Sequence, residues 1–181
     1  NALSFNKMFS NFSPDIFVDT HTSNGADYQA TLTLITTQPD KLGGPLGAWL
    51  EDVFTPMLYS GMAERGETMV PYVNSIQSTP DGGITDFLET PRYSTGYGAL
   101  HHAIGFTTEA HMLKPFPDRV QATQMFLEVL LEAGRSQSNT LREKKRAQHT
   151  AFLALDSASV AWELDTTAVD ALDFPGYEAR Y

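Results

Sequence analysis

The sequence predicts an α/β protein, a three-layer sandwich in which helices cover both sides of a mixed, mostly parallel sheet. Three observations lead there. Strand-like and helix-like patterns alternate along most of the chain. The run Ile16-Phe17-Val18 is continuously apolar before Asp19-Thr20-His21, as in a strand buried on both faces of a parallel sheet. Polar residues close two of the strands at their C-terminal ends, where ligands gather in open α/β sheets.

Taken in order, Leu3, Phe5, Met8, Phe9 and Phe12 keep a helical spacing, and Ser13-Pro14-Asp15 ends that short helix. The strand 16–21 comes next, and then a loop with Asn24-Gly25 as its turn signal. From Tyr28 to Thr36 the residues alternate loosely, predicting a strand with one wetter side. After Gly43-Gly44-Pro45, Leu46, Trp49, Leu50, Val53 and Met57 form an amphipathic stripe on a helix with a kink expected at Pro56. Thr68 to Val73 and Gly83 to Leu88 are weaker strands. Residues 90–97 read as a polar and aromatic loop leading to a short helix over 98–103.

The stretch from Ile104 favours extended backbone through Ile104, Phe106, Thr107 and Thr108, and Pro115 with Pro117 closes it. Alternation then puts Glu109 and His111 on one face at that strand's end, as it puts Asp19 and His21 on one face of the earlier strand. A carboxylate beside an imidazole suits a site better than a core, because a buried Glu must be paired or protonated. A helix capped by Asp118 carries Val120, Thr123, Leu127, Leu130 and Leu131 and is expected to stop at Gly134. One or two further helices over 139–163 would face Leu141, Phe152, Leu155, Val160 and Trp162 inward. The cluster Arg142 to Arg146 reads as a solvated helix face. His101, His102 and His149 read as packing or solvated residues.

A chain of 181 residues fits one domain, 1–181, and its 41% hydrophobic and 11% aromatic content is that of a folded protein. The final residues read as the start of another strand, so 164–181 is expected to begin a further C-terminal region, and the whole is expected to be part of a longer chain. No apolar run approaches the roughly 20 residues of a membrane span. A net charge of -10 disfavours sequence-independent binding of nucleic acid. With no cysteine, a zinc site here would have to use His and carboxylate ligands.

Three blocks taken in order carry a resemblance: Asp15-Ile16-Phe17-Val18-Asp19-Thr20-His21-Thr22-Ser23-Asn24-Gly25-Ala26-Asp27-Tyr28-Gln29, then Pro91-Arg92-Tyr93-Ser94-Thr95-Gly96-Tyr97, then Thr108-Glu109-Ala110-His111-Met112-Leu113-Lys114-Pro115. Together they resemble the C-terminal half of the catalytic domain of zinc carboxypeptidases of the carboxypeptidase A type, over roughly residues 5 to 133. The resemblance implies a partial zinc-exopeptidase-like domain. His21 matches the family's later zinc ligand, and Glu109 its catalytic carboxylate. The implied chemistry is peptide hydrolysis in which one zinc ion polarises the scissile carbonyl and activates water, while Glu109 carries the proton to the leaving amine. By the position of its loop, Arg92 is the candidate to grip the substrate's terminal carboxylate, and Tyr97 the candidate phenol beside it.

The family's other two zinc ligands come from an HxxE motif, and no HxxE or HExxH occurs in these residues. Asn6-Lys7 does not replace the family's upstream Asn-Arg pair, because it reads as the helix leading into the first strand. The expected activity is that of a metallocarboxypeptidase acting on peptides, with the missing ligands encoded before Asn1 and this chain alone inactive. Two other readings stay open: an amidohydrolase that removes acyl groups from amino acids, and a zinc-free binding module on the same scaffold. The same resemblance implies a periplasmic or secreted protein. His111 is read as a supporting residue, and Asp19 as a hydrogen-bond acceptor.

Overall fold

The computed structural model describes residues 2–24, 27–76, 80–169 and 171–177. Its centre is a four-stranded mixed sheet in the order β1 (Ile16–Thr22), β6 (Ile104–Ala110), β2 (Leu32–Thr36), β3 (Met69–Pro71). The β1–β6 and β2–β3 pairings are parallel and β2–β6 is antiparallel. The α/β sandwich expected from the sequence is therefore present. A separate antiparallel pair, β4 (Val73–Ser75) with β5 (Ile84–Asp86), stands beside it.

Because side chains alternate along a strand, the sheet has two distinct faces. On one, Ile104 and Phe106 of β6 with Leu32 and Leu34 of β2 join a core completed by α3 (Gly44–Trp49), α4 (Thr55–Glu64) and α6 (Phe116–Ser136). Phe106 sits between Phe54 and Phe126, with ring centroids 6.1 Å from each. α7 (Ser138–Leu153) packs on α3 at the margin of that core. On the other face, Phe17 and Gly105 lie under α1 (Ala2–Phe12) and α5 (Ser94–Ala99). That approach is close. A Cβ on Gly105 would stand 2.6 Å from the Phe17 ring and 3.0 Å from the Thr95 Cα. Thr37 holds the junction: its hydroxyl accepts the Gly105 N–H at 2.8 Å and lies 3.2 Å from the Thr95 carbonyl.

Several expectations need correction. β1 is half-buried and then exposed, not buried on both faces, because it lies at the end of the sheet order with only β6 beside it among the described residues. β2 starts at Leu32 instead of Tyr28. It is buried along nearly its whole length, since it runs between β6 and β3 and is covered on both sides. Tyr28 makes only an isolated bridge, to Gly176.

The irregularity expected at Pro56 occurs one turn earlier. Residues Leu50–Phe54 form a π-helical turn, with the Thr55 N–H bonded to the Leu50 carbonyl, as suits a helix about to meet a residue without an N–H. The short helix placed at 98–103 forms over Ser94–Ala99. Gly134 does not stop α6, which runs to Ser136. Among the described residues no helix continues past Leu153, and Phe152, Leu155 and Val160 are exposed, whereas Leu141 is buried and Trp162 half-buried near Lys41, so the inward face expected over 139–163 forms only in part. Between the two weaker strands, residues 77–79 lie outside the described residues, and Pro80–Gly82 form a 3-10 turn. The final strand expected over 174–181 is also partly outside them.

Two glycines test this packing in opposite directions. Gly105→Ala should destabilise the protein by about 2 kcal/mol through overpacking against Phe17. Gly134→Ala should stabilise it by up to about 1 kcal/mol, because it removes a poor helix former where the new Cβ meets Ile16 at an ordinary 3.9 Å. Urea denaturation of both variants measures the two effects.

Candidate active-site cleft

Parallel pairing in register places His21 directly beside Glu109, on the face that α1 and α5 cover only as far as Thr107. Beyond that cover the face opens as a cleft of about 380 Å³ at the C-terminal ends of β1 and β6. Asp19, His21, Thr107 and Glu109 form its floor. Ile35, Tyr72, Phe87 and the segment 92–95 complete its lining. The His21 imidazole is 47% exposed and the Glu109 side chain 12%, so the ring meets solvent while the acid is largely withdrawn from it.

His21 Nδ1 lies 3.8 Å from Glu109 Oε1, and His21 Nε2 lies 3.0 Å from Asp19 Oδ1. The imidazole is thus held between two carboxylates. Burial pushes the Glu109 carboxyl above the usual glutamate range; His21 opposes that shift and Asp19 adds to it. A carboxyl so tuned changes protonation nearer neutrality than an exposed one, which suits a group that must take and return a proton.

The rim is aromatic. Tyr72, Phe87 and Tyr93 pack edge to face in sequence, with centroids 5.6 and 5.0 Å apart. The Tyr72 phenol is pushed up, first by burial and then by the charges of Glu109 and Tyr93. Arg92 lines the cleft beside Tyr93, on the exposed loop before α5. That loop is anchored by Glu89. Its Oε1 accepts the Gln38 N–H at 2.8 Å and its Oε2 lies 3.3 Å from Lys41 Nζ, with both side chains almost wholly buried. Burial raises the Glu89 carboxyl, and the Gln38 amide and Lys41 pull against it.

The candidates named from the sequence are therefore partly assembled. His21, Glu109 and Arg92 share one cleft. Tyr97 does not: its ring packs against Phe5, Phe9 and His101 at 5.4, 5.4 and 5.0 Å, beneath α1. The cause is the earlier start of α5, which puts position 97 inside the helix and leaves Tyr93 as the phenol facing the cleft. His111 also departs from Glu109. β6 ends at Ala110, and the chain turns so that the imidazole is fully buried, its Nδ1 accepting the Leu113 N–H at 3.1 Å and its Nε2 lying 3.1 Å from Asp27 Oδ1. Tyr72 carried no site signal in the sequence, because the segment that holds it, 68–73, reads only as a weak strand. Tyr93 was within reach as Arg92's neighbour.

Zinc was the cofactor expected from the resemblance, and the donor types at the floor of the cleft suit it. The donor number does not: among the described residues no group of three His, Cys, Asp or Glu side chains is arranged to hold a metal ion. The described residues do not by themselves complete a zinc site. No protein-family model, no curated protein and no solved structure matches the chain.

The electrostatics give a direct test. Followed by NMR, Glu109 should titrate above the ordinary glutamate range, higher still in His21→Ala and lower in Asp19→Asn, since His21 pulls the carboxyl down and Asp19 pushes it up. Movement of both variants in the same direction would contradict this description of the cleft.

Proposed function

We propose that the cleft is part of a hydrolase site acting on the C-terminal peptide bond of peptides, with Glu109 as the proton carrier. The single observation that carries this reading is the meeting of His21 and Glu109 in one solvent-reaching cleft with an arginine on its rim. In this reading Arg92 binds the substrate's terminal carboxylate, because a planar guanidinium can donate to both oxygens at once. The carboxylate fixes the substrate's end, and the bond one residue inward then lies over the floor. The aromatic rim of Tyr72, Phe87 and Tyr93 would pack the terminal side chain and shield the floor from bulk solvent beyond the reacting water.

Glu109 takes a proton from the attacking water and returns it to the leaving amine. Its raised carboxyl helps the first transfer, since a carboxylate whose pKa is raised is the stronger base toward the attacking water. Asp19, 3.0 Å from His21, orients the imidazole. The remaining ligands of a zinc-dependent site would come from polypeptide outside these 181 residues, and the outer edge of β1, unpaired among the described residues, leaves room beside His21 for them. When bound, zinc would supply Lewis-acid polarisation of the scissile carbonyl.

A contrasting reading, a zinc-free module that binds peptide carboxylates or acyl-amino acids, is favoured by the incomplete ligand set among the described residues. One comparison separates the two. Carboxypeptidase and acyl-amino-acid hydrolysis assays are run on the full gene product, together with metal analysis. The hydrolase reading expects bound zinc and a loss of about 100-fold or more in kcat for Glu109→Gln. Arg92→Gln should mainly raise KM for substrates with a free C-terminal carboxylate. Turnover by Glu109→Gln at the wild-type rate, or peptide binding without hydrolysis or metal, would overturn it.

A further inference from the structure

A second recess lies at the opposite end of the same strand pair. Its volume is about 590 Å³, the size of a small-molecule site. Asp15, just before β1, and the turn His101-His102, just before β6, form one wall, joined by the Ile104 N–H donating to the Asp15 carbonyl at 3.0 Å. The facing wall is α7, whose positions 142, 145, 146 and 149 share one helical face.

The charges gathered here run against those of the whole chain. The protein carries 22 acidic residues against 12 Lys and Arg, yet three of those cations and three of its five histidines line this recess with a single carboxylate. That carboxylate, Asp15, is engaged by Lys145 at 2.8 Å. Arg142 and Arg146 have no ion-pair partner among the described residues. The recess therefore holds two uncompensated guanidiniums even with every imidazole neutral.

Two independent features show that this arrangement is held at a cost. Among the described residues, the only non-glycine residues with left-handed backbone are Ser13, at φ 44°, and His102, at φ 50°, and both line this recess. Such conformations cost of order 1 kcal/mol each and concentrate at functional sites. His102 is also held below the ordinary histidine range, first by burial and then by the neighbouring charges of His149, Lys145 and His101. Its ring meets His149 at 5.9 Å. A metal cation would be repelled by the arginines and Lys145, and nucleic acid by the net charge of -10.

We propose that this recess binds a small oxyanion bearing two or more negative charges, a phosphate ester or a polycarboxylate, between Arg142 and Arg146 on α7 and His102 on the facing turn. Forked guanidinium donors suit phosphate and carboxylate oxygens alike. The bound charge offsets the coulombic part of what disfavours a proton on His102, the part that His149, Lys145 and His101 add to burial. This inference stands apart from the cleft and does not depend on its chemistry.

The test uses the 181-residue protein with inorganic pyrophosphate and with citrate as probes, at ionic strength matched with sodium chloride. Calorimetry should show saturable binding of at least one probe, and which probe binds assigns the phosphate or the carboxylate class. Affinity should fall at least tenfold in Arg142→Gln/Arg146→Gln and stay within twofold in Arg65→Gln, a cation outside the recess. NMR of the unmodified protein gives a readout independent of any variant's folding: the His102 titration midpoint should rise with the bound probe. No saturable binding of either probe, equal affinity in the double variant, or an unmoved His102 midpoint at saturation would overturn the proposal.

Discussion

The in-register parallel pairing of Ile16–Thr22 with Ile104–Ala110 is the constraint on which the rest of the molecule depends. Since side chains alternate, one register sets the role of every residue in the two strands. Ile16, Val18, Ile104 and Phe106 turn to the large core, Phe17 and Gly105 turn to α1 and α5, and His21 meets Glu109. A slip of one residue would send the imidazole toward α6 and leave Glu109 without its neighbour. The register is guarded by Gly105, where only the absence of a side chain lets the Phe17 ring lie down.

The cleft exists because the second helical layer is short. α5 spans only Ser94–Ala99, and its hydroxyl contact from Ser94 to Thr107, at 3.3 Å, is the last tie before the strand ends emerge. The emerging strand ends can carry Asp19, His21 and Glu109 because no helix among the described residues covers them there. The rim loop keeps its shape without regular structure, since Glu89 is buried against the Gln38 amide and Lys41. Replacing one member of a buried pair leaves the other uncompensated, so this anchor holds the loop's path more firmly than exposed contacts would.

The two ends of the strand pair also differ in sign. At the C-terminal end Asp19 and Glu109 flank one imidazole, and a buried carboxyl is pushed toward its neutral form. At the N-terminal end two arginines and a lysine crowd three histidines, and a half-buried imidazole is pushed toward its neutral form. Burial penalises charge in both places. The direction in which each group moves depends on which of its forms is charged.

The sequence by itself determined the class of fold and the chief strand of the site. Alternation of patterns, the apolar run at Ile16, and the β-favouring residues that end at Glu109 are local properties, and local periodicity survives without knowledge of neighbours. Only tertiary structure decided which polar residues meet. Tyr97 lost its place to Tyr93 through a shift of a few residues in where a short helix begins. Gly134 failed to end α6 because the helix is held by packing against the sheet and not by propensity. His101 and His102 meet His149 because α7 packs back beside the turn before β6, across nearly fifty positions of chain. Such meetings are set by register and packing over long sequence separations, and no window along the chain contains both partners.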